Sequence, residues 1–221
     1  MPRLARLTAA GLVYHVTHRG NRQGPVFFER EDRESYLRGL AAAGSQHGLE
    51  VWAYCLMTNH VHLLVRALER ESLSRALREV EGGHALRVNR QRGWSGHLWA
   101  SRFYSCPVVG EHLWAAVRYI ERNPVRAGLT ERAEEYPWAS AAAHCGLEGR
   151  GILSPNRPFP GMVQDWAAWL EVADPSEDER IRAATRTGRA AAGPEDCDLL
   201  AIRLGRSVTA RPKGRPQAGN R

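Results

Sequence analysis

Two histidines, His60 and His62, stand two residues apart in the sequence NHVHLLV. If this segment is a β-strand, the spacing puts both imidazoles on one face, while Val61, Leu63 and Val65 point to the other face. Two neighbouring neutral imidazoles are well placed to bind one metal cation. Because the pattern is short, two ordinary half-exposed histidines explain this pair equally well when it is taken alone.

A second pair of polar residues, Tyr119 and Asn123, lies in a segment with helical periodicity. Their spacing of four residues places both side chains on one face of the helix. The face beside them is apolar and would pack on a sheet; it is formed by Leu113, Ala116, Val117 and Ile120. A phenol and an amide at the flank of a core helix could face a site on that sheet. From residue types alone, Tyr119 is better explained as a border tyrosine whose ring packs and whose hydroxyl reaches water.

The elements that would position these side chains follow from apolar periodicity, helix caps and turn residues. Strands are predicted over residues 12–17, 26–28, 49–57, 61–65 and 103–109, and helices over 29–48, 71–88 and 111–122. Gly48 is expected to end the first helix, and Pro124 is expected to end the last one. The two middle strands are close enough in sequence to form a hairpin. This order predicts an α+β fold, a ferredoxin-like or RRM-like antiparallel sheet with helices on one face.

The charge balance favours an acidic partner. The 221 residues carry a net charge of +7 and a pI of about 9.7. Nucleic acid is the usual partner of such a basic surface, although solubility alone is an alternative. The four cysteines form no CxxC pair, so a zinc knuckle is not expected and a reducing, cytoplasmic location is. No run approaches the roughly 20 apolar residues of a membrane span.

The composition changes after residue 147. Residues 148–175 are rich in glycine and proline and are predicted to be a linker or an irregular lobe. Residues 176–221 could hold short helices followed by a basic tail that is disordered in isolation. The tail segment RPKGR, with Arg211, Lys213 and Arg215, is similar to basic arms that enter the DNA minor groove, although a solvated tail without function is nearly as good an explanation.

Basic and aromatic residues also alternate between residues 87 and 104. The members that could contact phosphates or unpaired bases are Arg87, Arg90, Arg92, Trp94 and Arg102. The alternative interpretation is that Trp99, Phe103 and Tyr104 are core residues beside a solvated arginine loop. The sequence favours neither interpretation over the other.

Three motifs in this order, YHVTHRGN, MTNHVHLLV and RYIERNPVRAGL, resemble those of the HUH single-tyrosine transposases, the enzymes of the smallest bacterial insertion sequences. The similarity is greatest to the domesticated REP-associated tyrosine transposases and covers roughly residues 8–147. It implies that residues 1–147 form the catalytic domain. It also implies that Arg19, Asn21 and Arg22 lie near the DNA.

The resemblance assigns roles to both pairs of residues. His60, His62 and Asn123 match the ligands of a divalent metal, Mg²⁺ or Mn²⁺, and Tyr119 matches the nucleophile. It implies a metal-dependent single-stranded DNA endonuclease that cleaves and rejoins DNA at hairpin-associated sites through a 5′-phosphotyrosine. The implied partner is a single-stranded hairpin or palindromic repeat, bound by a monomer or a homodimer.

Two other functions remain in competition with this one. A non-catalytic single-stranded nucleic-acid-binding module of ferredoxin-like fold would use the same basic surface and treat Tyr119 as packing. A histidine phosphoesterase of the HxHxH type would need a third histidine at position 64, where this chain has Leu64. The zinc deaminase signature, the phosphate-binding P-loop and the dinucleotide fingerprint do not occur in the sequence.

Overall fold

Four short strands with apolar inner faces form one antiparallel sheet. The computed structural model of the protein describes residues 5–149 and 151–209. The strands are β1 (Val13–Arg19), β2 (Leu49–Leu56), β3 (His60–Ala67) and β4 (Tyr104–Val108). Their order in the sheet is β2-β3-β1-β4, and all neighbours are antiparallel. The α+β class, the ferredoxin-like order and the hairpin between β2 and β3 are therefore confirmed.

Two helices cover one face of this sheet. They are α1 (Arg30–His47) and α2 (Ser72–Arg92), which pack beside each other. The carboxylate of Asp32 accepts hydrogen bonds from the backbone amides of Phe28 and Glu29, at 2.9 and 3.0 Å, and so satisfies free donors at the start of α1. Gly48 follows the helix in the left-handed conformation, with φ of +65°, and ends it as predicted.

The opposite face of the sheet is covered as well, which corrects the expectation of helices on one face only. Helix α3 (His112–Glu121) packs there through Ala116, Val117 and Ile120. The physical reason is that this face also carries apolar residues, such as Leu64 of β3, which must be removed from water. The prediction of one helical layer holds for α1 and α2 but not for α3.

The predicted end of the last helix lies close to its observed position. Helix α3 ends at Glu121, and a single further turn, α4 (Asn123–Arg126), follows with Pro124 near its start. Proline is tolerated there because the first amides of a helix have no partner within the helix. Helical backbone continues through Arg122, so Tyr119 and Asn123 keep their spacing of one turn.

The strand predicted over residues 26–28 is not formed. The backbone amides of Val26 and Phe27 both donate to the carbonyl oxygen of Thr58, at 2.9 and 3.2 Å. Two successive amides on one acceptor do not make a strand ladder, in which alternate residues face the partner strand. The segment instead holds the loop between β2 and β3 in place.

Three short helices follow residue 147: α6 (Trp166–Glu171), α7 (Pro175–Thr187) and α8 (Pro194–Leu204). Helix α5 (Ala141–His144) precedes them. Phe159, Trp166, Leu170 and Ile181 are buried in the same core as α3. Arg211, Lys213 and Arg215 lie outside the described residues. Across 5–149 and 151–209, no helix has both the length and the apolar character that a membrane crossing requires.

Candidate active site

A cleft of about 570 Å³ opens between the sheet and α3, and we call it the histidine cleft because His60 and His62 line it together with Tyr119 and Asn123. The alternation along β3 points both imidazoles into this cleft, and their ring centroids are 4.9 Å apart. The structure therefore brings both predicted pairs of residues into one place. Arg19, which pairs with His60 across β1 and β3, lines the same cleft.

Tyr119 reaches the histidines from α3. Its ring meets the ring of His62 edge-on, with centroids 5.4 Å apart, and meets His15 of β1 in the same way at 5.5 Å. The residue is 4 % exposed. Two guanidinium groups also approach the ring: the Arg126 carbon lies 4.4 Å from the centroid and that of Arg182 lies 5.8 Å from it. The phenol is thus fixed between two imidazoles and two cations.

Burial keeps the histidines of the cleft neutral. It lowers the pKa of His15 to about 3 and that of His60 to about 4, and nearby arginines act in the same direction. The pKa of His62 lies well below the ordinary value because of burial and because of the neighbouring imidazoles. A neutral imidazole keeps one ring nitrogen with a free lone pair, which is the form that binds a metal.

A chain of hydrogen bonds fixes which nitrogen of His62 is free. The hydroxyl of Thr185, on α7, donates to the carbonyl oxygen of Ile181 at 2.8 Å. Its oxygen therefore accepts from Nδ1 of His15 at 2.7 Å, which leaves Nε2 of His15 as an acceptor. Nδ1 of His62 lies 3.0 Å from that Nε2 and must donate to it. The lone pair of His62 is consequently on Nε2.

His60 is fixed in the same tautomer by a different partner. Its Nδ1 lies 2.6 Å from Oδ1 of Asn59. The amide group of Asn59 is oriented by its own donation to the carbonyl oxygen of Gln23, at 2.9 Å. Nδ1 of His60 is therefore the donor, and its free lone pair is on Nε2. Partners that hold the second nitrogen of a histidine in this way are typical of metal sites.

Asn123 lies in the cleft, but its oxygen already has a partner. The amide nitrogen donates to the carbonyl oxygens of Tyr119 and Ile120, at 2.8 and 3.2 Å, which fixes the orientation of the amide group. Arg126 donates to that Oδ1 at 2.6 Å. A carbonyl oxygen has two lone pairs, so one remains. Within the described ranges no three His, Cys, Asp or Glu side chains are grouped to hold a metal, and an amide oxygen would have to complete the two-histidine set.

A buried carboxylate anchors the end of α3 behind the cleft. Glu121 is fully buried and accepts hydrogen bonds from the hydroxyl of Ser140, from Nδ1 of His144 at 2.7 Å and from the indole nitrogen of Trp166 at 2.8 Å. These donors come from α5, α6 and the residue before α5. Because Tyr119 is only two residues away, this cluster restrains the position of the phenol.

The predicted DNA-binding residues fall into different environments. Arg87 and Arg92 lie near carboxylates, 3.9 Å from Asp32 and 3.6 Å from Glu29, and the guanidinium carbon of Arg92 also lies 4.2 Å from the ring of Phe28. The others are Arg22, Arg90, Trp94 and Arg102, which are exposed, and Asn21, an exposed residue that lines a cleft beside α2. Trp99 and Phe103 are buried in the core with α1 and α2, whereas Tyr104 is 41 % exposed and lines the histidine cleft.

Sequence reasoning missed several residues of the cleft, among them His15, Arg126, Arg182 and Thr185. His15 could have been found, since the alternation of β1 puts it on the same face as Thr17 and Arg19. Arg126 could also have been found, since it lies three residues after Asn123 within one of the quoted motifs. Arg182 and Thr185 gave no local signal. Thr185 is 170 residues from His15, and nothing in the sequence of α7 indicates which part of the fold it contacts.

A ferredoxin-like sheet that carries an HxH pair opposite a helical tyrosine has the arrangement of the single-tyrosine HUH class. The chain belongs to the family of IS200-like transposases, whose model matches residues 8–123. It is 33 % identical over 92 residues to the ISDra2 transposase TnpA of Deinococcus radiodurans. That alignment covers 38 % of this chain and spans 63 % of the relative's length.

A solved structure of a REP-associated tyrosine transposase bound to a REP hairpin superposes on this fold. The TM-score is 0.56 at 18 % sequence identity, and the match covers 70 % of this chain and 89 % of that one. At this identity the likeness concerns the fold. The resemblance inferred from the sequence motifs is thereby confirmed at the level of family and fold.

Proposed function

We propose that this transposase is a metal-dependent endonuclease that cleaves and rejoins single-stranded DNA through a covalent bond to Tyr119. The observation that carries the proposal is the edge-on contact of the Tyr119 ring with His62, in a cleft that also contains His60 and Asn123. A nucleophile beside a metal-binding pair is what such chemistry requires. None of the described residues that line the cleft is acidic, so an incoming phosphate would meet neutral and cationic side chains there.

The residues present fit a divalent metal such as Mg²⁺ or Mn²⁺. His60 and His62 are neutral, and the hydrogen bonds on their Nδ1 atoms leave both Nε2 lone pairs available. Asn123 would supply an amide oxygen as the third ligand, shared with or released by Arg126. When bound, the metal would neutralise charge on the scissile phosphate and orient it.

The protein's own groups account for the remaining chemistry. Attack of the Tyr119 oxygen on phosphorus forms the new phosphotyrosine ester and breaks the bond between phosphorus and the 3′ oxygen. The phenolic proton passes to solvent, and the released 3′ oxygen takes up a proton. One ester replaces another, so the strand can be rejoined without an energy-supplying cofactor. Arg126 and Arg182, which flank the phenol, would stabilise negative charge as it develops.

We further propose that the DNA is presented as a hairpin or palindromic repeat. The superposed REP-associated transposase is bound to a REP hairpin, and the net charge of +7 suits a polyanionic partner. The DNA flanking the coding region would contain such palindromes if this assignment holds.

The proposal is tested by the Tyr119→Phe variant. Labelled single strands that cover the flanking palindromes are incubated with protein and Mn²⁺ and then run on a denaturing gel. The natural protein should give a covalent protein–DNA adduct that is lost with a chelator, and Tyr119→Phe should bind the DNA without forming it. Tyr104→Phe is the matched control, because Tyr104 is the other tyrosine of the cleft. An adduct formed by Tyr119→Phe would refute the assignment.

The competing function is a non-catalytic nucleic-acid-binding module of the same fold. It predicts equal binding by the natural protein and Tyr119→Phe, with no adduct from either at any metal concentration. The buried phenol between two imidazoles favours the catalytic proposal, because a tyrosine that served packing alone would not need neighbours held in one tautomer.

A further inference from the structure

Two further clefts continue the histidine cleft around the edge strand β4. The first, which we call the edge cleft, has a volume of about 190 Å³. It shares Tyr104, Thr185 and Arg186 with the histidine cleft. β4 is the last strand of the sheet, and among the described residues only an isolated bridge between Val108 and Ala191 continues the pairing beyond it. The edge cleft lies at this edge of the sheet.

The second, which we call the α2 cleft, lies on the far side of β4 and has a volume of about 770 Å³. It shares Arg6, Arg102 and Phe103 with the edge cleft. Each cleft therefore borders the next along shared residues. Together they follow a surface from Tyr119 on one face of the sheet, past β4, to α2 on the other face.

The sequence of α2 creates the space in the α2 cleft. Ser74, Arg78, Gly82 and Ala85 follow one another at helical spacing and so form one stripe along the helix. Three of these four residues are small, and a Cβ added at Gly82 would meet nothing within 4 Å. The long side chain of Arg78 stands at the border of the space that the small residues leave open. The volume of the α2 cleft lies in the range of about 300–1,000 Å³ that is usual for ligand pockets.

The surface is strongly cationic. Arg78, Arg102 and Arg186 are exposed along it, and none of the three has an ion-pair partner among the described residues; we call them the arginine track. Among the described residues, the only carboxylate that lines the three clefts is Glu81, which is buried 2.8 Å from Nδ1 of His18. By contrast, Arg87 and Arg92 on the other side of α2 lie beside carboxylates.

We propose that the arginine track binds the phosphates of single-stranded DNA that continues from the phosphate at Tyr119, with the α2 cleft as a separate binding site for the strand. Neighbouring strands are about 4.8 Å apart, so the path from β3 across β1 to β4 spans about 10 Å before it turns. A path that turns around a sheet edge suits a flexible single strand, because duplex DNA has a persistence length of about 50 nm. The direction of the path from Tyr119 rests on the proposed function.

The test measures the binding of a fluorescent thymidine oligonucleotide of about 20 nucleotides by anisotropy at several salt concentrations. Arg78→Ala/Arg102→Ala should lower the slope of log affinity against log salt by about 1.4, since each single-strand phosphate contact contributes about 0.7. The natural protein should then lose about sevenfold more affinity than the variant between about 50 and 200 mM salt. Arg38→Ala/Arg132→Ala is the matched control, because it removes the same charge from exposed, ion-paired arginines elsewhere and should keep the natural slope.

A second measurement locates the strand. Photocrosslinking of the same oligonucleotide with iodouracil at each position should label peptides that contain Trp99 or Phe103, which line the α2 cleft. An unchanged slope with crosslinks confined to the histidine cleft would overturn the proposal. If Arg78→Ala/Arg102→Ala lowered the salt slope equally for a duplex of the same length, the restriction of the proposal to single strands would be overturned. The adduct of Tyr119 is independent of both results, so failure of the track and failure of the nuclease proposal are distinguishable.

Discussion

Replacing Thr185 with valine should weaken metal binding although Thr185 touches no proposed ligand. Valine has nearly the shape of threonine but lacks the hydroxyl that accepts from His15 at 2.7 Å. His15 is 1 % exposed, so no water replaces the lost acceptor. Either Nδ1 of His15 keeps its proton without a partner, or the proton moves to Nε2. In the second case it faces Nδ1 of His62 at 3.0 Å, and His62 must reverse its own tautomer. The reversal protonates the Nε2 that should bind the metal.

The expected magnitude follows from these two possibilities. A buried donor left without a partner costs about 1–3 kcal/mol. If the chain adopts the other tautomers to avoid that cost, binding must restore the original arrangement and bear the same cost. We therefore expect Mn²⁺ to bind roughly tenfold to a hundredfold more weakly, the range typical for partners of metal ligands. This corresponds to about 1.4–2.8 kcal/mol.

The measurement is Mn²⁺ affinity, from calorimetry or from the electron paramagnetic resonance signal of free Mn²⁺, without DNA. Thr185→Ser is the matched control because it keeps the hydroxyl, and it should bind Mn²⁺ within a few-fold of the natural protein. Circular dichroism would verify that both variants are folded. A folded Thr185→Val protein with natural affinity would refute the hydrogen-bond chain, and so would an equal loss in Thr185→Ser.

Two predictions concern stability. The pKa of His15 in the folded protein is about 3, below the ordinary value of 6.5. As pH falls, the unfolded chain therefore takes up a proton on this imidazole before the folded protein does. The free energy of unfolding consequently decreases below about pH 6.5. Between about pH 6.5 and pH 5 His15 should contribute a loss of about 1.6 kcal/mol in the metal-free protein. Urea titrations should show a shallower pH dependence for His15→Gln, and an unchanged dependence would contradict this. Glu121→Ala should destabilise by about 3 kcal/mol or more, because three buried donors lose their acceptor. Glu134→Ala, which breaks an ion pair with the exposed Arg132, should destabilise the protein much less because water screens that pair. Similar losses for both variants would argue against the buried cluster.

The sheet and its histidines could be predicted from the sequence because their signals are local. The alternation in NHVHLLV determines which side chains share a face of β3, and Gly48 marks the end of α1 within the chain itself. The spacing of Tyr119 and Asn123 survives the change from α3 to α4 because helical backbone continues through Arg122. Each of these inferences depends on residues only a few positions apart.

The ion-pair partners of the arginines could not be predicted in that way. Arg87 and Arg92 belong to a run of basic and aromatic residues that is typical of nucleic-acid binding, yet Asp32 and Glu29 lie beside them in the fold. Those carboxylates are more than 50 residues earlier in the chain, as the numbering shows. Arg102 belongs to the same run but lines the edge cleft and the α2 cleft without such a partner. Only the tertiary structure separates the two kinds of arginine.

Helix α7 illustrates why the candidate site extends beyond the part of the chain that its family defines. The family match ends at residue 123, and α7 begins at Pro175. Thr185 of α7 nevertheless determines the tautomer of His62 through His15. Asp178 of the same helix accepts from Arg126, at 3.2 Å, and Arg126 holds both the ring of Tyr119 and the oxygen of Asn123. One helix therefore restrains the histidine side and the tyrosine side of the cleft together, so a displacement of α7 would alter the nucleophile and the proposed metal ligands at once.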